Sequence, residues 1–437
     1  MAGLIKNFIL SHSVLIQKLK EKLSSRFIQN AGWLGAAELV NRVSRLGVTV
    51  VIARLLSPHD YGLVAIVLTT NEFSNVFTLR GGIGSKLVQA PSEDLEILCD
   101  TAYWMNWILC ILIFFIQCIA AFLISWFYDS NQLIWPICFM ALSYLVLPTF
   151  AVPIALIYRE NQIKIPAICN AVQAVLSNLL TVIFALLGLG IWAIVLPIVL
   201  TLPVWVFIAR RSHTWRSRKP FTFYRWKEIA DFSLNNLGVE LLNKLRANLD
   251  YLLVGNFLGL EALGIYYFAF NAGLGISLNV LQSLTWSLFP HLCDSRGNLE
   301  ELKERYFRAV KTIALIIVPL VVLQSGLAPF YVPIVFGQKW INAVPILMLI
   351  CLSALPRPFG DAASALLNSI DRSRTVLGWN IIFTLIFTFS LLLSVKMGIF
   401  WVAASVLLSH LIGMPAFAVW ATQSVFSAKN TSLSKAR

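Results

Sequence analysis

The start of the first long apolar segment carries a cluster of residues that could bind an anion or carry an ion. The cluster consists of Glu38, Asn41, Arg42 and Arg45, in the stretch "AAELVNRVSR". Their spacing of i, i+3, i+4 and i+7 places the four side chains on one face of a helix. Intramembrane acids and bases mark ion or substrate pathways, and a guanidinium suits phosphate through its planar set of donors.

The composition is that of an integral membrane protein. Of the 437 residues 58% are hydrophobic and 13% are charged, whereas soluble domains carry about 25% charged residues. Segments such as Trp107–Phe127 and Thr312–Tyr331 are long enough to cross a hydrocarbon core of about 30 Å as helices. None of the seven cysteines lies in a CxxC motif, and no HExxH, GxSxG or P-loop motif occurs. We therefore predict no metal site, cofactor or catalytic centre.

We predict an all-α fold of about twelve membrane-spanning helices. The predicted spans cover residues 31–56, 61–79, 102–127, 133–157, 165–187, 190–209, 229–255, 263–289, 309–331, 343–367, 376–395 and 399–422.

The distribution of the lysines and arginines predicts the orientation. With the N-terminus inside, 26 of the 34 fall in cytoplasmic segments, and two, Lys339 and Lys396, fall in outer loops. The other six, within spans, are Arg42, Arg45, Arg54, Lys244, Arg246 and Arg357. This positive-inside bias places both termini in the cytoplasm. The net charge of +13 then reflects topology and attraction to the inner leaflet, so nucleic acid is not a predicted partner.

An internal repeat divides the chain into two halves. The segment Glu38–Val43 aligns with Glu240–Leu245, and Leu55–Leu63 aligns with Phe257–Ile265. A further match sets Lys164–Val172 on Arg374–Ile382. Each copy holds six spans, so both insert in the same orientation, as parallel repeats around a central cavity.

The predicted order of segments follows from this repeat. Residues 1–29 form an amphipathic cytoplasmic segment on the inner leaflet, and residues 30–209 form an N-lobe with spans 1–6. Residues 210–228 form a basic cytoplasmic connector, residues 229–422 a C-lobe with spans 7–12, and residues 423–437 a cytoplasmic tail.

Two interpretations of the repeated polar faces stay open. Span 1 gains roughly 5 kcal/mol from its aliphatic residues, against roughly 8 kcal/mol or more for three charged residues, so the face avoids lipid. Ion pairs Glu38–Arg42 and Glu240–Lys244 could simply join helices. We favour a polar cavity lined by both lobes, because the same trio occurs in both halves and Arg45 leaves a positive excess.

The first outer turn carries a local structural signal. In "SPHDYG", Ser57 can cap span 2, Pro58 occupies the first helical position, and Asp60 completes a capping box. Gly62 allows close helix approach, and Arg54 is expected to reach towards the outer interface.

These residues also carry a resemblance. The stretch "VIARLLSPHDYGLVAI" resembles the "ARLLxPxDyG" signature of polysaccharide flippases of the Wzx and colanic-acid-exporter type, within the MOP superfamily (MATE-like fold). The segments Asn248–Asn271 and Phe336–Leu347 also fit that family. The resemblance implies two six-helix lobes with alternating access, which move oligosaccharides on polyprenyl pyrophosphate from the inner to the outer leaflet with an ion gradient. It also implies a bacterial inner membrane, with polysaccharide polymerase and chain-length proteins as further partners.

Candidate site residues fall into three groups. The predicted pyrophosphate ligands are Arg42, Arg45, Lys244, Arg246 and Arg357. The predicted polar cavity residues are Asn41, Asn71, Asn75, Asn243, Asn279 and Gln282. The ion-coupling candidates are Glu38, Glu72, Glu240 and Asp250. Arg357 could instead pair with Asp361, and pairing of Glu38 or Glu240 with a base would keep the carboxylate ionised, which opposes proton coupling.

Two alternatives to a sugar flippase remain. A multidrug or other lipid exporter of the same superfamily would be expected to have an acidic, aromatic cavity rather than a basic one. A polytopic enzyme of polysaccharide assembly normally needs a sizeable outer loop, which this chain lacks.

Overall fold

The computed structural model describes residue 45 and residues 47–217, 221–295 and 297–427, and across these it contains helices and turns without a β-strand, which confirms the all-α class. The α-helices are α1 Pro58–Val76, α2 Arg80–Gln89, α3 Leu95–Phe127, α4 Ile134–Val146, α5 Pro148–Arg159, α6 Lys164–Leu186, α7 Trp192–Leu200, α8 Pro203–Ser212, α9 Trp226–Ala269, α10 Gly275–Cys293, α11 Leu299–Gly326, α12 Ala328–Tyr331, α13 Val344–Leu352, α14 Arg357–Ser369, α15 Ser373–Val395 and α16 Ile399–Phe426. Short 3-10 or π segments cover Asn131–Leu133, Phe270–Leu274, Val332–Phe336 and Gln338–Ala343.

The described residues contain nine helices long and apolar enough to cross a membrane, or ten with the bent pair α4 and α5 as one span. Two places account for the difference from twelve. The first predicted span, 31–56, lies largely outside the described residues. Predicted span 7 and the start of predicted span 8 both lie in α9, without a loop between them. The two parts of α9 meet at a kink at Gly259, which has φ 84° and ψ 175°. Glycine adopts this left-handed φ without a Cβ penalty, so the predicted outer turn between the two spans consists of this single residue.

The chain packs into two compact units. The first contains Ser74–Ala120 and Trp135–Val239, and the second contains Val50–Phe73, Ala121–Ile134 and the described residues from Glu240 onwards. The lobe boundaries predicted from the repeat are not tested by this division and stay predictions. The amphipathic segment 1–29 lies outside the described residues, as does most of the predicted tail.

The first unit has an apolar interior. In it, α2 packs against α5, α6 packs against α7, and α8 packs against both α5 and α6. Residues Leu87, Leu98 and Leu156 belong to one buried cluster. A second cluster includes Tyr144 and Trp205. The indole Nε1 of Trp205 donates to Gln173 Oε1 at 2.5 Å, which satisfies its polar atom inside an apolar environment.

Two spans of the first unit are interrupted, and one of them is bent. The helices α4 and α5 meet at Leu147 with a bend of 52°, and α7 is separated from α8 by Thr201 and Leu202. Proline has no N–H and breaks the helical hydrogen bonding, and Pro148 and Pro203 begin the second half of each interrupted span. At the second interruption, the Thr201 hydroxyl donates to the carbonyl of Pro197 at 2.7 Å.

The end of the predicted basic connector is fixed to the first unit by ionic contacts. Arg225 donates to Asp94 Oδ1 at 2.7 Å and to both carboxylate oxygens of Glu228 at 2.5 and 3.0 Å. Lys86 lies 3.8 Å from the same Glu228 carboxylate. A bidentate arginine–carboxylate pair has a defined geometry, so Arg225 sets where α9 begins.

In the second unit, the predicted capping box of the "SPHDYG" turn is confirmed. The Asp60 carboxylate accepts from the Ser57 amide at 3.0 Å, and the Ser57 hydroxyl accepts from the Asp60 amide at 3.1 Å. The hydroxyl of Ser57 also donates to Asp60 Oδ2 at 2.7 Å. Both orphan amides at the start of α1 are thereby satisfied.

The repeat appears in the second unit as a reciprocal helix crossing. A Cβ added at Gly62 would lie 2.0 Å from the carbonyl oxygen of Leu260, and one at Gly264 would lie 1.7 Å from that of Pro58. Gly62 aligns with Gly264 in the repeat, and Pro58 aligns with Leu260. Each contact is thus the two-fold counterpart of the other, and both require backbone-to-backbone packing that only glycine permits.

The segment around Trp340 docks on the chain just before this turn. Trp340 Nε1 donates to the carbonyl of Ala53 at 2.8 Å, and Lys339 Nζ donates to that of Leu56 at 2.6 Å. Arg54 donates back to the carbonyls of Ile334 and Val335 at 2.6 and 2.8 Å. The Arg54 guanidinium is therefore held by carbonyl groups, rather than simply extended towards the interface. Side chains from each of these two segments thus donate hydrogen bonds to backbone carbonyls of the other.

The first prediction concerns the glycine crossing. Gly62→Ala should destabilise the protein by about 1–3 kcal/mol, because overpacking forces the two backbones apart. Thermal unfolding in detergent measures the change. Gly378→Ala, within α15, is the matched control because nothing lies within 4 Å of its added Cβ. Equal melting temperatures for the two variants would show that the crossing tolerates a methyl group.

The second prediction concerns the connector. The hydrogen bond from Arg225 lowers the pKa of Glu228 below its usual 4.5. The contact therefore stabilises the connector above pH 4.5 and is lost as the pH falls through the lowered pKa of the folded state. As the pH falls below 4.5, pepsin cleavage near Phe221–Tyr224 should accelerate more in the wild type than in Arg225→Gln, which lacks the contact at every pH and so corrects for the pH dependence of pepsin itself.

At neutral pH, Arg225→Gln should accelerate chymotrypsin cleavage of the same segment. Glu304→Gln is the control, because it breaks the exposed Glu304–Arg308 pair elsewhere. Cleavage of the connector at the same rate in the wild type and in Arg225→Gln would contradict a restraining role.

Candidate functional site

Several predicted site residues lie outside the described part of the chain. Glu38, Asn41 and Arg42 are among them, so the span 1 face stays a prediction. Arg45 is described as helical and exposed, with its carbonyl accepting from Thr49 Oγ1 at 2.7 Å. Asn279 and Gln282 lie in α10, but their side chains are outside the description.

The second unit brings predicted residues of α1 and α9 together in one polar network. Lys244 Nζ lies 3.0 Å from Glu72 Oε2. Asn248 Nδ2 donates to the same carboxylate oxygen at 3.3 Å, and Asn248 Oδ1 accepts from Thr69 Oγ1 at 3.4 Å. We name Thr69, Glu72, Lys244 and Asn248 the Lys244 network.

The Lys244 network is open on one side. The side chains of Lys244 and Glu72 are 38% and 47% exposed, whereas Asn248 and Thr69 are buried. An exposed pair of this kind contributes only about 0.2–1 kcal/mol to stability. The ammonium group is therefore pre-positioned by its acidic neighbour and reachable by an anion.

The ion pair of Lys244 with Glu240, one of the two interpretations left open above, is not observed among the described residues. The i,i+4 spacing suggested Glu240 as its partner, but the described ion pair of Lys244 is with Glu72 on another helix. Glu240 and Asn243 are exposed, and Glu240 has no ion pair with another described residue. A carboxylate from α1 reaches the ammonium instead, because the two helices pack side by side in this unit.

A second set of charged residues in the same unit lies deeper. Asp250 is buried, accepts from the Tyr266 hydroxyl at 2.7 Å and from the Tyr251 amide at 3.0 Å. Arg357 interacts electrostatically with Asp250 and Asp361, and its Nε is buried without a hydrogen-bond partner. Buried charges require such pairing, so the alternative of an internal partner for Arg357 gains support.

Arg246 takes part in the same deep group. Its guanidinium donates to Asn380 Oδ1 at 2.8 Å, joining α9 to α15, and it interacts electrostatically with Asp361. His410 of α16 is buried with Nδ1 2.8 Å from the carbonyl of Val406. The predicted roles of Arg246, Arg357 and Asp250 in binding or coupling stay predictions, and Arg246 and Asp250 already have hydrogen-bond partners within the unit.

The remaining predicted cavity residues lie near Glu72 on α1. Asn71 is half-buried and Asn75 is exposed. The carbonyl of Asn75 accepts from the Thr78 hydroxyl at 2.7 Å, where α1 ends. Sequence reasoning missed Asn248 and Thr69, although Asn248 lies one helical turn after Lys244 on the same face. Within the described residues no three His, Cys, Asp or Glu side chains lie close enough to hold a metal ion.

Comparison with solved structures gives the class of the fold. An inward-facing MATE family multidrug resistance transporter of the MOP superfamily aligns with a TM-score of 0.70 and 14% identity, over 90% of this chain and 96% of that one. The lipid II flippase MurJ, in an inward closed conformation, aligns with a TM-score of 0.73 and 13% identity, over 89% and 87%. The chain is a multi-span membrane protein with the fold of MOP superfamily transporters.

Comparison of sequences gives the family. Residues 51–345 match the family described as polysaccharide biosynthesis protein, and the chain belongs to that family. The teichuronic acid biosynthesis protein TuaB of Bacillus subtilis (strain 168) is 23% identical over 90% of this chain and 82% of its own length. The lipopolysaccharide biosynthesis protein WzxC of Escherichia coli (strain K12) is 23% identical over 84% and 74%.

A third relative is named as a transport protein. The succinoglycan biosynthesis transport protein ExoT of Rhizobium meliloti (strain 1021) is 23% identical over 74% of this chain and 65% of its own length. These comparisons confirm the resemblance to MOP superfamily polysaccharide proteins. They also confirm that the chain is related to transporters rather than to enzymes.

The third prediction tests the buried hydrogen bond between Tyr266 and Asp250. Tyr266→Phe should destabilise the protein by about 1–3 kcal/mol, because the Asp250 carboxylate loses a buried donor. Thermal unfolding in detergent measures the effect. Tyr306→Phe is the control, because Tyr306 is also buried but its hydroxyl has no hydrogen bond to another described residue. Equal losses in both variants would mean that the hydroxyl bond to Asp250 contributes nothing.

Proposed function

We propose that the protein flips an oligosaccharide carried on polyprenyl pyrophosphate from the inner to the outer leaflet of a bacterial inner membrane. It does so by alternating access of its two lobes, driven by an ion gradient, for export of a surface polysaccharide. Both termini lie in the cytoplasm, as the positive-inside bias predicts. A polysaccharide polymerase and a chain-length protein are its expected partners.

Three kinds of observation support this proposal. The family match covers most of the chain, and relatives are named for polysaccharide biosynthesis and transport. A flippase of a lipid-linked sugar, lipid II, has the same fold. The observation that carries the proposal to particular residues is the half-exposed Lys244 ammonium beside Glu72, because the cargo's pyrophosphate needs a cation in a low-dielectric path.

The Lys244 network offers a way to couple cargo to an ion. Both Glu72 and a pyrophosphate oxygen are anionic acceptors for the same ammonium group. When pyrophosphate binds Lys244, the carboxylate of Glu72 loses its counterion. Uptake of a proton or a metal cation at Glu72 would then restore the balance of charge. The ion pair between Glu72 and Lys244 and the uptake of a coupling ion at Glu72 are therefore successive states of one site. An acid that is ion-paired before the cargo binds can thus still couple transport to an ion.

The fourth prediction tests transport. Purified protein in liposomes should move a fluorescent polyprenyl-pyrophosphate-linked sugar to the opposite leaflet, where a membrane-impermeant quencher measures it. Lys244→Gln should lower the initial rate at least tenfold, since a charge-assisted bond to the cargo contributes about 1.5–3 kcal/mol. Glu72→Gln should abolish the stimulation by an imposed ion gradient and leave slow equilibration.

The Glu304→Gln variant is again the matched control, because it removes one acid from an exposed ion pair on α11 and should transport normally. Extension of the glycan would identify an enzyme instead. Extrusion of cationic dyes without movement of the lipid-linked sugar would identify a multidrug exporter. Normal transport by Lys244→Gln would remove Lys244 from the cargo path.

A further inference from the structure

An open groove of about 760 Å³ lies on the surface of the first unit, between its two interrupted spans. It is lined by Leu145, Val146, Thr149, Pro203, Val206, Phe207, Arg210 and Arg211. Clefts of about 300–1,000 Å³ hold a drug-sized ligand. The groove is thus large enough to hold one molecule.

The groove follows from the helix breaks. Val146 and Thr149 flank the bend between α4 and α5, and Pro203 stands at the start of α8 after the break in its own span. Two straight helices would pack along their length, whereas the 52° bend between α4 and α5 leaves a space beside α8. In a bilayer, a space of this kind on the lipid-facing side of the helices is filled by hydrocarbon.

The lining of the groove suits a hydrocarbon chain. Its only hydroxyl, on Thr149, already donates to the carbonyl of Val146 at 2.6 Å. Phe207 is 65% exposed, as expected of a side chain that faces lipid. Apart from Thr149 and the two arginines at one end, the lining side chains are apolar.

One end of the groove is strongly basic. Arg210 and Arg211 are exposed in the last turn of α8, and neither side chain has an ion pair or hydrogen bond with another described residue. Arg216 folds back and donates to the carbonyl of Arg210 at 2.9 Å. Two unpaired guanidinium groups therefore stand at the mouth of an apolar groove, where a planar fork can bind a phosphate.

The helix that lines one side of the groove is about one leaflet long. Helix α8 has ten residues, which extend about 15 Å at 1.5 Å per residue. That length is half of a hydrocarbon core of about 30 Å. The arginine end lies at the side that the charge distribution predicts to be cytoplasmic, where the leaflet is anionic.

We propose that this groove binds one anionic glycerophospholipid, with an acyl chain along the bend and its phosphate on Arg210 and Arg211. The lipid is a resident of the inner leaflet and not the cargo, because the helix that lines one side of the groove is about one leaflet long. This site is separate from the Lys244 network in the second unit and does not depend on the proposed transport.

The fifth prediction is a lipid-binding measurement. Native mass spectrometry of the purified full chain, titrated with phosphatidylglycerol or phosphatidylcholine, should show one tightly retained phosphatidylglycerol and no equivalent phosphatidylcholine. Arg210→Gln with Arg211→Gln should weaken this binding roughly thirtyfold, the equivalent of about 1 kcal/mol for each cation near the membrane surface.

Arg372→Gln with Arg374→Gln is the matched control, because these two arginines are also exposed but lie in the second unit. Val206→Trp should also lower phosphatidylglycerol retention by filling the groove, whereas Leu315→Trp, at a 74% exposed apolar position, should not. Unchanged binding in both groove variants would overturn the proposal. Displacement of phosphatidylglycerol by equimolar polyprenyl phosphate would also overturn it, because the groove would then hold the tail of the cargo.

Discussion

An ionised group in a membrane span must be paired or reach water, because hydrocarbon solvates it poorly. The described part of the second unit meets this requirement in three ways. Arg54 and Lys339 are satisfied by backbone carbonyls, Asp250 is enclosed by hydroxyl and amide donors, and Lys244 is paired with a half-exposed Glu72. Of these three cations, Lys244 is the one whose partner is a half-exposed acid rather than a backbone carbonyl, and its proposed role in binding rests on this difference.

The placement of that cation depends on uncharged residues. The capping box at Ser57 fixes where α1 begins. Gly62 and Gly264 bring α1 and α9 together without intervening side chains. Glu72 lies ten residues after Gly62 in the same helix, where it meets Lys244. A methyl group at the crossing would therefore alter the position of the carboxylate as well as the stability of the fold.

The sequence predicted the parts of this arrangement that depend on neighbouring residues. The capping box, the close approach at Gly62 and most spans of the described helices follow from spacing and hydropathy over short windows. The partner of Lys244 did not, because i,i+4 spacing favoured Glu240, while the observed acid lies 172 residues away in the chain. Periodicity reports which face of a helix is polar, but it does not report which other helix that face meets.

The helix breaks of the first unit were likewise only partly predictable. Prolines mark where helical hydrogen bonding fails, but the direction of the bend between α4 and α5, and hence the groove near Arg210, depends on tertiary packing.

The central claim is that Glu72 and the cargo's pyrophosphate compete for the ammonium of Lys244. Calorimetric titration of the purified protein with farnesyl pyrophosphate tests this most directly, because the two partners should shift affinity in opposite directions. The account predicts that Lys244→Gln weakens binding about tenfold or more, whereas Glu72→Gln strengthens it. Weaker binding in both variants would contradict the account, because Glu72 would then support the site rather than compete for it.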